Sequence, residues 1–394
     1  MAGRRRGPGA SVVALVLLLA SLVACGGGPD GARAEVQSLL DRRARALLDG
    51  DAAAHARTGT RAGYDNLRAV PLAEWSYRVT SVHRTGDTAT ADADLSYRVG
   101  GYDPSPVTTA RTLRLSRDSD GRWSVDADRP AGSSGQQLWD QGRVRAVRGG
   151  GSLVLGVGQS DDRLRDYARL ADRAVPAVSD AWGRRWSRHL VVLVPTSLQG
   201  MAGLLNSPAS SYRGIAAVTT GETGAGERAP ADRIIVNPDA FGLLGDSGRQ
   251  VVLTHEATHV ATRAHTSAST PLWLSEGFAD WIGYRDGART PAQAAPELAR
   301  AVARGDVPEA LPADDDFGFS GDAEGLARAY ESGWTACRLI ADRWGEDRLR
   351  AFYRAVGAHD RREGAVEQAL RDVLGTTHAD FTAQWRDHLR SELG

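Results

Sequence analysis

Two histidines four residues apart, with a glutamate beside the first, mark His255-Glu256-Ala257-Thr258-His259 as the segment best suited to chemistry. On a helix, positions i and i+4 share one face. Both imidazoles then point at one spot and can bind one zinc ion, at Zn–N distances of about 2.0–2.1 Å. Glu256 is rotated off that face, where it can hold and deprotonate a water instead of ligating. By itself this pattern arises by chance in on the order of one chain in a hundred of this length. A second segment strengthens it. After sixteen intervening residues comes Glu276, within Trp273-Leu274-Ser275-Glu276-Gly277-Phe278-Ala279-Asp280-Trp281. A catalytic zinc takes three protein ligands and keeps one position open. Glu276 is placed to return as the third, on a second helix antiparallel to the first, after a turn around Thr266–Pro271.

The order HExxH, gap, then Glu in a Glu-Gly-Phe-Ala segment resembles the gluzincins, the thermolysin and aminopeptidase N type of metallopeptidase. The resemblance spans roughly residues 150–390 but is specific only at these motifs. It implies that His255, His259 and Glu276 are zinc ligands and Glu256 the general base. It also implies that Asp280, four residues after Glu276, hydrogen-bonds the far nitrogen of a zinc histidine, which steadies such ligands. Tyr330, in Ala329-Tyr330-Glu331-Ser332-Gly333-Trp334, resembles the tyrosine that donates to the oxyanion in aminopeptidase N-like enzymes; Tyr284 and Tyr212 are weaker candidates. The chain departs from that pattern in lacking a Gly-Ala-Met-Glu-Asn segment before the zinc helix, so aminopeptidase activity is not implied. No third histidine stands where a metzincin would have one. His265, six residues beyond His259, falls at the wrong helical angle and reads as a polar residue near the helix end.

The implied activity is zinc-dependent hydrolysis of a peptide or protein substrate. The alternative is a non-catalytic, membrane-anchored binding or scaffold lipoprotein with a structural or vestigial zinc site. A closed structural site needs a fourth ligand, which the sequence does not offer, and it has no use for Glu256.

The elements that must position these residues read as α+β. Residues 34–58 have helical periodicity, with Val36, Leu39, Leu40, Leu47 and Leu48 on one face. From Trp75 the period changes to two, through Trp75–Val79, Ala89–Val99 and Thr112–Arg117; a turn at Asp118–Gly121 leads to Arg122–Val125. A helix followed by an antiparallel sheet resembles, in topology, the cone-shaped nuclear transport factor two-like domains. A two-lobed, gluzincin-like domain follows, with a small sheet and a helical C-terminal half. Its expected strands are 153–157, 190–194, 215–219 and 234–236. Its expected helices are 162–182, 246–265, 272–284, 323–344, 347–355, 364–374 and 379–392. Strand 215–219 could be an edge that pairs with an extended peptide, but a core strand is the favoured reading. Trp273, Trp281 and Trp334 read as aromatic core. The expected division is a signal peptide over 1–24, a lipidated tether over 25–33, the cone-like domain over 34–130, a Gly-bracketed linker over 131–151 and the metallopeptidase-like domain over 152–394.

The N-terminus carries an address. Arg4, Arg5 and Arg6 precede an apolar run, Ala10–Ala24, shorter than the about 20 residues a spanning helix needs. The run ends Leu22-Val23-Ala24-Cys25, which resembles a bacterial lipobox and implies cleavage before Cys25 and lipidation of its thiol. The chain would then sit outside the cytoplasm, anchored to the cell membrane. Cleavage takes the formal net charge from −1 to −4. All 48 basic side chains are arginine and no basic excess advertises nucleic-acid binding. The remaining cysteine, Cys337, would have no intrachain disulfide partner, so stability must come from the core or from bound metal. We expect Cys25→Ser to move the protein out of the membrane fraction or block its processing. Unchanged fractionation together with an unchanged mature mass would refute the lipid anchor.

Overall fold

The computed structural model describes residues 29–132, 134–221, 230–318 and 322–394. The expected signal peptide and Cys25 lie outside them. Helix α1 (Pro29–Leu48) buries Val36, Leu39, Leu40 and Leu47. The helical period expected to run to residue 58 is interrupted at Gly50, whose φ of +70° breaks the turn. The chain restarts as α2 (Ala52–Ala56), capped by the Asp51 carboxylate, and continues into α3 (Ala62–Leu67). Strands β1 (Leu72–Thr85), β2 (Thr88–Val99), β3 (Val107–Arg117) and β4 (Trp123–Pro130) then form an antiparallel sheet in sequence order. The period of two is plain in β2, where Ala89, Ala91, Ala93, Leu95, Tyr97 and Val99 are buried and their neighbours are not. Gln37 of α1 reads the β1 backbone, donating to Tyr77 O (2.7 Å) and accepting from Val79 N (2.9 Å).

The segment 131–151, expected as a linker, does more than connect. It holds a 3-10 turn, Leu138–Asp140, and strand β5 (Val144–Arg148), with Trp139 and Val144 buried. Beyond it come β6 (Ser152–Val157), α4 (Asp161–Trp182), β7 (Leu190–Val194), α5 (Leu198–Leu205), β8 (Ala217–Thr220) and β9 (Arg233–Val236). These strands form one sheet in the order β5-β6-β7-β9-β8, parallel at β6/β7 and β7/β9 and antiparallel at its two ends. Strand β6 is buried along its whole length because both faces are covered. Leu153, Leu155, Val157 and Leu193 pack into the core of the N-terminal unit; Val154, Val192 and Val194 pack with α4 and the helices behind it. The two units therefore share a sheet between two cores. A buried ion pair fastens them as well. Asp103, in the β2–β3 loop and with a fully buried side chain, accepts from Nη1 and Nη2 of Arg233 at 2.8 Å each. It also accepts from Val99 N (2.8 Å) and Ala231 N (3.1 Å).

The second half is helical: α6 (Pro238–Leu243), α7 (Asp246–Thr262), α8 (Leu272–Tyr284), α9 (Pro291–Ala294), α10 (Pro296–Ala303), α11 (Ala323–Trp344), α12 (Glu346–Gly357), α13 (Ala365–Ala369) with a π turn to Leu374, and α14 (His378–Leu393). Three of these, α6, α9 and α10, are not among the helices expected from the sequence. Each starts on a proline, which serves at the first helical position because its missing N–H has no partner to lose there. Trp273, Trp281 and Trp334 are core residues. No helix among the described residues is long and apolar enough to cross a membrane.

The Asp103–Arg233 pair is the interaction whose loss should cost most at this junction. Asp103→Ala would leave a buried guanidinium unpaired and is expected to lower stability by ~3–5 kcal/mol. Urea denaturation measures it; a midpoint equal to the unmodified chain's would show that the pair contributes nothing.

Candidate metal centre

Helix α7 presents His255 and His259 on one face, and α8 brings Glu276 back against them. The two Nε2 atoms are 3.0 Å apart, and Glu276 Oε2 lies 3.1 Å from the first and 3.3 Å from the second. An ion with tetrahedral bonds of about 2.0–2.1 Å keeps its ligand atoms roughly 3.3 Å apart, so this triangle is close to the size a zinc ion needs. Among the described residues no fourth metal-ligating side chain joins the group. Asp280 Oδ1 lies 2.7 Å from His255 Nδ1. That contact holds a proton on Nδ1 and leaves the Nε2 lone pair facing the triangle. The donor set thus fits a metal such as zinc.

The electrostatics agree. Burial pushes the His255 imidazole down, but the Asp280 and Glu276 carboxylates outweigh it and hold its pKa well above the ordinary value. Burial pushes the Glu276 carboxyl up, but the His259 and His255 rings outweigh it and hold it below the usual carboxylate range. Both directions express one demand: three electron-rich atoms this close require positive charge among them, from protons or from a metal ion.

Glu256 stays outside the triangle. It is 6% exposed, and its Oε2 accepts from the Thr219 hydroxyl at 2.6 Å. Thr219 belongs to β8, and here the structure corrects the favoured reading of residues 215–219. The strand is Ala217–Thr220, and among the described residues it pairs only with β9 and forms an edge of the sheet. A run as short as Ala217-Val218-Thr219-Thr220 looks the same in sequence whether one or both of its sides are paired. The Thr219 contact has no signature in the sequence either, because nothing local ties this residue to a glutamate 37 positions away.

Tyr330 reaches the site through α11. A Cβ on Gly277 would stand 2.2 Å from Gly333 O, and one on Gly333 would stand 2.5 Å from Trp273 O. Helices α8 and α11 therefore touch backbone to backbone, which only glycine permits. One turn before Gly333, the Tyr330 ring lies 6.4 Å from the His255 ring and 5.2 Å from that of Phe317, centroid to centroid. Burial raises its pKa well above 10, aided by the carboxylates of Glu276, Asp280 and Glu256, so the phenol keeps its proton. Tyr284 packs on Trp334, and burial pushes its phenol up to about 12. Tyr212 ends the turn Ala209–Tyr212 ahead of β8. His265 lies in the turn after α7, against Trp182. Glu331, beside Tyr330, accepts from the backbone N–H groups of Leu298 (2.6 Å) and Glu297 (3.3 Å) at the start of α10; burial pushes its carboxyl up to about 7.

No protein-family model matches the chain, and no curated protein matches it. Several solved structures are similar, among them the following three. Native yeast LTA4 hydrolase is 11% identical with a TM-score of 0.36, over 71% of this chain and 44% of that one. A variant of a two-domain M1 zinc metallopeptidase bound to L-arginine is 12% identical with a TM-score of 0.35, over 78% and 61%. A variant of the M1 zinc metallopeptidase from Deinococcus radiodurans, bound to a Tyr-Ser-Ala substrate, is 12% identical with a TM-score of 0.34, over 82% and 61%. The chain covers less than two thirds of the length of each.

If the triangle is a metal site, purified protein should carry one zinc per chain. His255→Ala/His259→Ala should abolish binding, and Asp280→Asn should weaken it about 10–100-fold. Elemental analysis and competition with a chelator measure both. Full zinc occupancy in the double histidine variant would rule out these ligands.

Proposed function

We propose that the chain is a zinc-dependent peptide-bond hydrolase on the outer face of the cytoplasmic membrane, anchored through a lipid on Cys25. The supporting observation is the buried Glu256 carboxylate beside a three-ligand triangle that it does not join. A purely structural metal site gives such a group no task.

His255, His259 and Glu276 would hold the zinc, which when bound supplies Lewis acidity to a carbonyl and lowers the pKa of water toward about 7. Glu256 accepts the proton of the attacking water and passes it to the leaving amine. Thr219 fixes one oxygen of that carboxylate, so the other is the one presented to water. The protonated Tyr330 phenol donates to the oxyanion that develops at the scissile carbonyl. Asp280 holds the His255 ring in orientation and tautomer. The side of β8 away from β9 offers backbone groups to an extended peptide. The N-terminal unit, with its nuclear transport factor two-like topology, steadies β9 through Asp103 and Arg233, and through β9 the strand that carries Thr219.

Glu256→Gln keeps size and hydrogen-bonding reach and removes the base. Zinc content should survive, while chelator-sensitive cleavage of a peptide library should fall about 10²–10⁴-fold. Tyr330→Phe should also keep zinc and lose roughly 10²–10³-fold. A scaffold would behave differently: no chelator-sensitive cleavage by the unmodified chain. Equal cleavage rates for the unmodified chain and Glu256→Gln would show the mechanism to be wrong even with zinc bound.

A further inference from the structure

Away from the metal centre, the C-terminal end of α4 faces α12 across a cavity of about 440 Å³ lined by Trp182, Arg184, Arg185, Asp347, Arg350 and Arg354. Ordinary helix capping explains part of this arrangement. Helix α4 has no basic residue in its own last turn, so its final carbonyls are met from α12. Arg350 Nη1 donates to Ala181 O and Arg354 Nη2 to Trp182 O, each at 3.0 Å. The Arg354 guanidinium is also stacked over the Trp182 ring at 4.4 Å.

Capping does not explain the rest. Four guanidinium groups meet one carboxylate, Asp347, which is 87% exposed and pairs with Arg350. The helix end contributes about half a negative charge. The cavity therefore keeps a surplus of about two and a half positive charges. Arg184 and Arg185 are exposed, and no ion pair or side-chain hydrogen bond engages them among the described residues. Arg354 keeps its Nε buried without a partner. The repulsion is felt locally: burial lowers the Arg354 pKa, and Arg350 and Arg185 lower it further. The pKa of His265, whose ring meets that of Trp182 edge-on with centroids 5.5 Å apart, is lowered by burial and by Arg354 and Arg185.

We propose that this cavity binds a dianionic phosphate group, carried by a free phosphomonoester or by the headgroup of a phosphomonoester lipid. A single carboxylate would cancel less than half of the surplus. A phosphomonoester carries about 1.5–2 negative charges at pH 7 and three strong acceptor oxygens, which suit several guanidinium forks at once. Arg350 and Arg354 are already fixed by the α4 carbonyls and by Trp182, so little ordering remains when a ligand enters. The volume lies within the about 300–1,000 Å³ of small-molecule sites, leaving room for a substituent on the phosphate. This site is independent of the hydrolase reading.

Isothermal titration of the full chain tests it, with inorganic phosphate, glycerol 3-phosphate and sub-micellar dihexanoyl phosphatidic acid as probes. Sodium chloride at matched ionic strength and dihexanoyl phosphatidylcholine serve as controls. One site per chain is expected, seen with the phosphates and with neither control. Arg184→Gln/Arg185→Gln should weaken it at least about tenfold, since charged hydrogen bonds of this kind are lost. Both residues are exposed and unpartnered, so this variant should fold; Arg354→Gln, which also loses a helix cap, is read beside it by circular dichroism. Phosphatidic acid binding tenfold or more tightly than glycerol 3-phosphate would identify a lipid source, and equal affinities a free phosphomonoester. Phosphate binding no stronger than chloride, or binding unaltered in the Arg184→Gln/Arg185→Gln variant, would overturn the proposal.

Discussion

Two imidazole nitrogens and a carboxylate oxygen held within 3.0–3.3 Å repel one another unless positive charge lies among them, and the helical half of this chain is built to hold them there. Helix α7 supplies the first two by its own pitch. Helix α8 returns the third, and α11 packs closely behind it at the glycine-to-glycine contact of Gly277 and Gly333. Asp280 completes the arrangement by keeping a proton on the outer nitrogen of His255. Without metal, the Asp280 and Glu276 carboxylates favour the charged form of the His255 ring. A bound metal would displace its proton and add to the stability of the fold.

Glu256 depends on a longer chain of contacts. Its carboxylate is steadied by Thr219 on β8, β8 pairs with β9, and Arg233 at the start of β9 is clamped by Asp103 of the N-terminal unit. A loop from the first sheet thus bears on the Glu256 carboxylate beside the triangle of His255, His259 and Glu276. Because β6 and β7 bury side chains into both cores, the two units cannot shift independently without exposing apolar surface. The N-terminal unit is in this sense part of the framework of the site.

With no lysine in the chain, guanidinium groups serve every cationic purpose, and their setting separates their tasks. Arg111 is 2% exposed and is saturated by Asp128 and Asp140, as Arg233 is by Asp103. These are closed structural clusters in which no guanidinium is in excess of its carboxylates and the planar fork is matched bidentately. At the end of α4 the same side chain occurs in fourfold excess over its counter-ion, and that imbalance singles the cavity out.

Sequence by itself determined the elements that depend on short-range periodicity. The i, i+4 spacing placed His255 and His259 together, the same spacing placed Glu276 and Asp280 on one face, and the helices 272–284 and 323–344 have the bounds that their patterns indicate. Alternation marked the strands of the first sheet. What only the tertiary structure decided is which surface covers each apolar face. It made residues 138–148 part of the shared structure instead of a linker, made β8 an edge, put Thr219 on Glu256 and set Gly277 against Gly333. The physical reason is that periodicity records which side of an element avoids water, a property of a few neighbouring residues. The partner that covers that side, 37 or 56 positions away, is chosen by the packing of the whole chain.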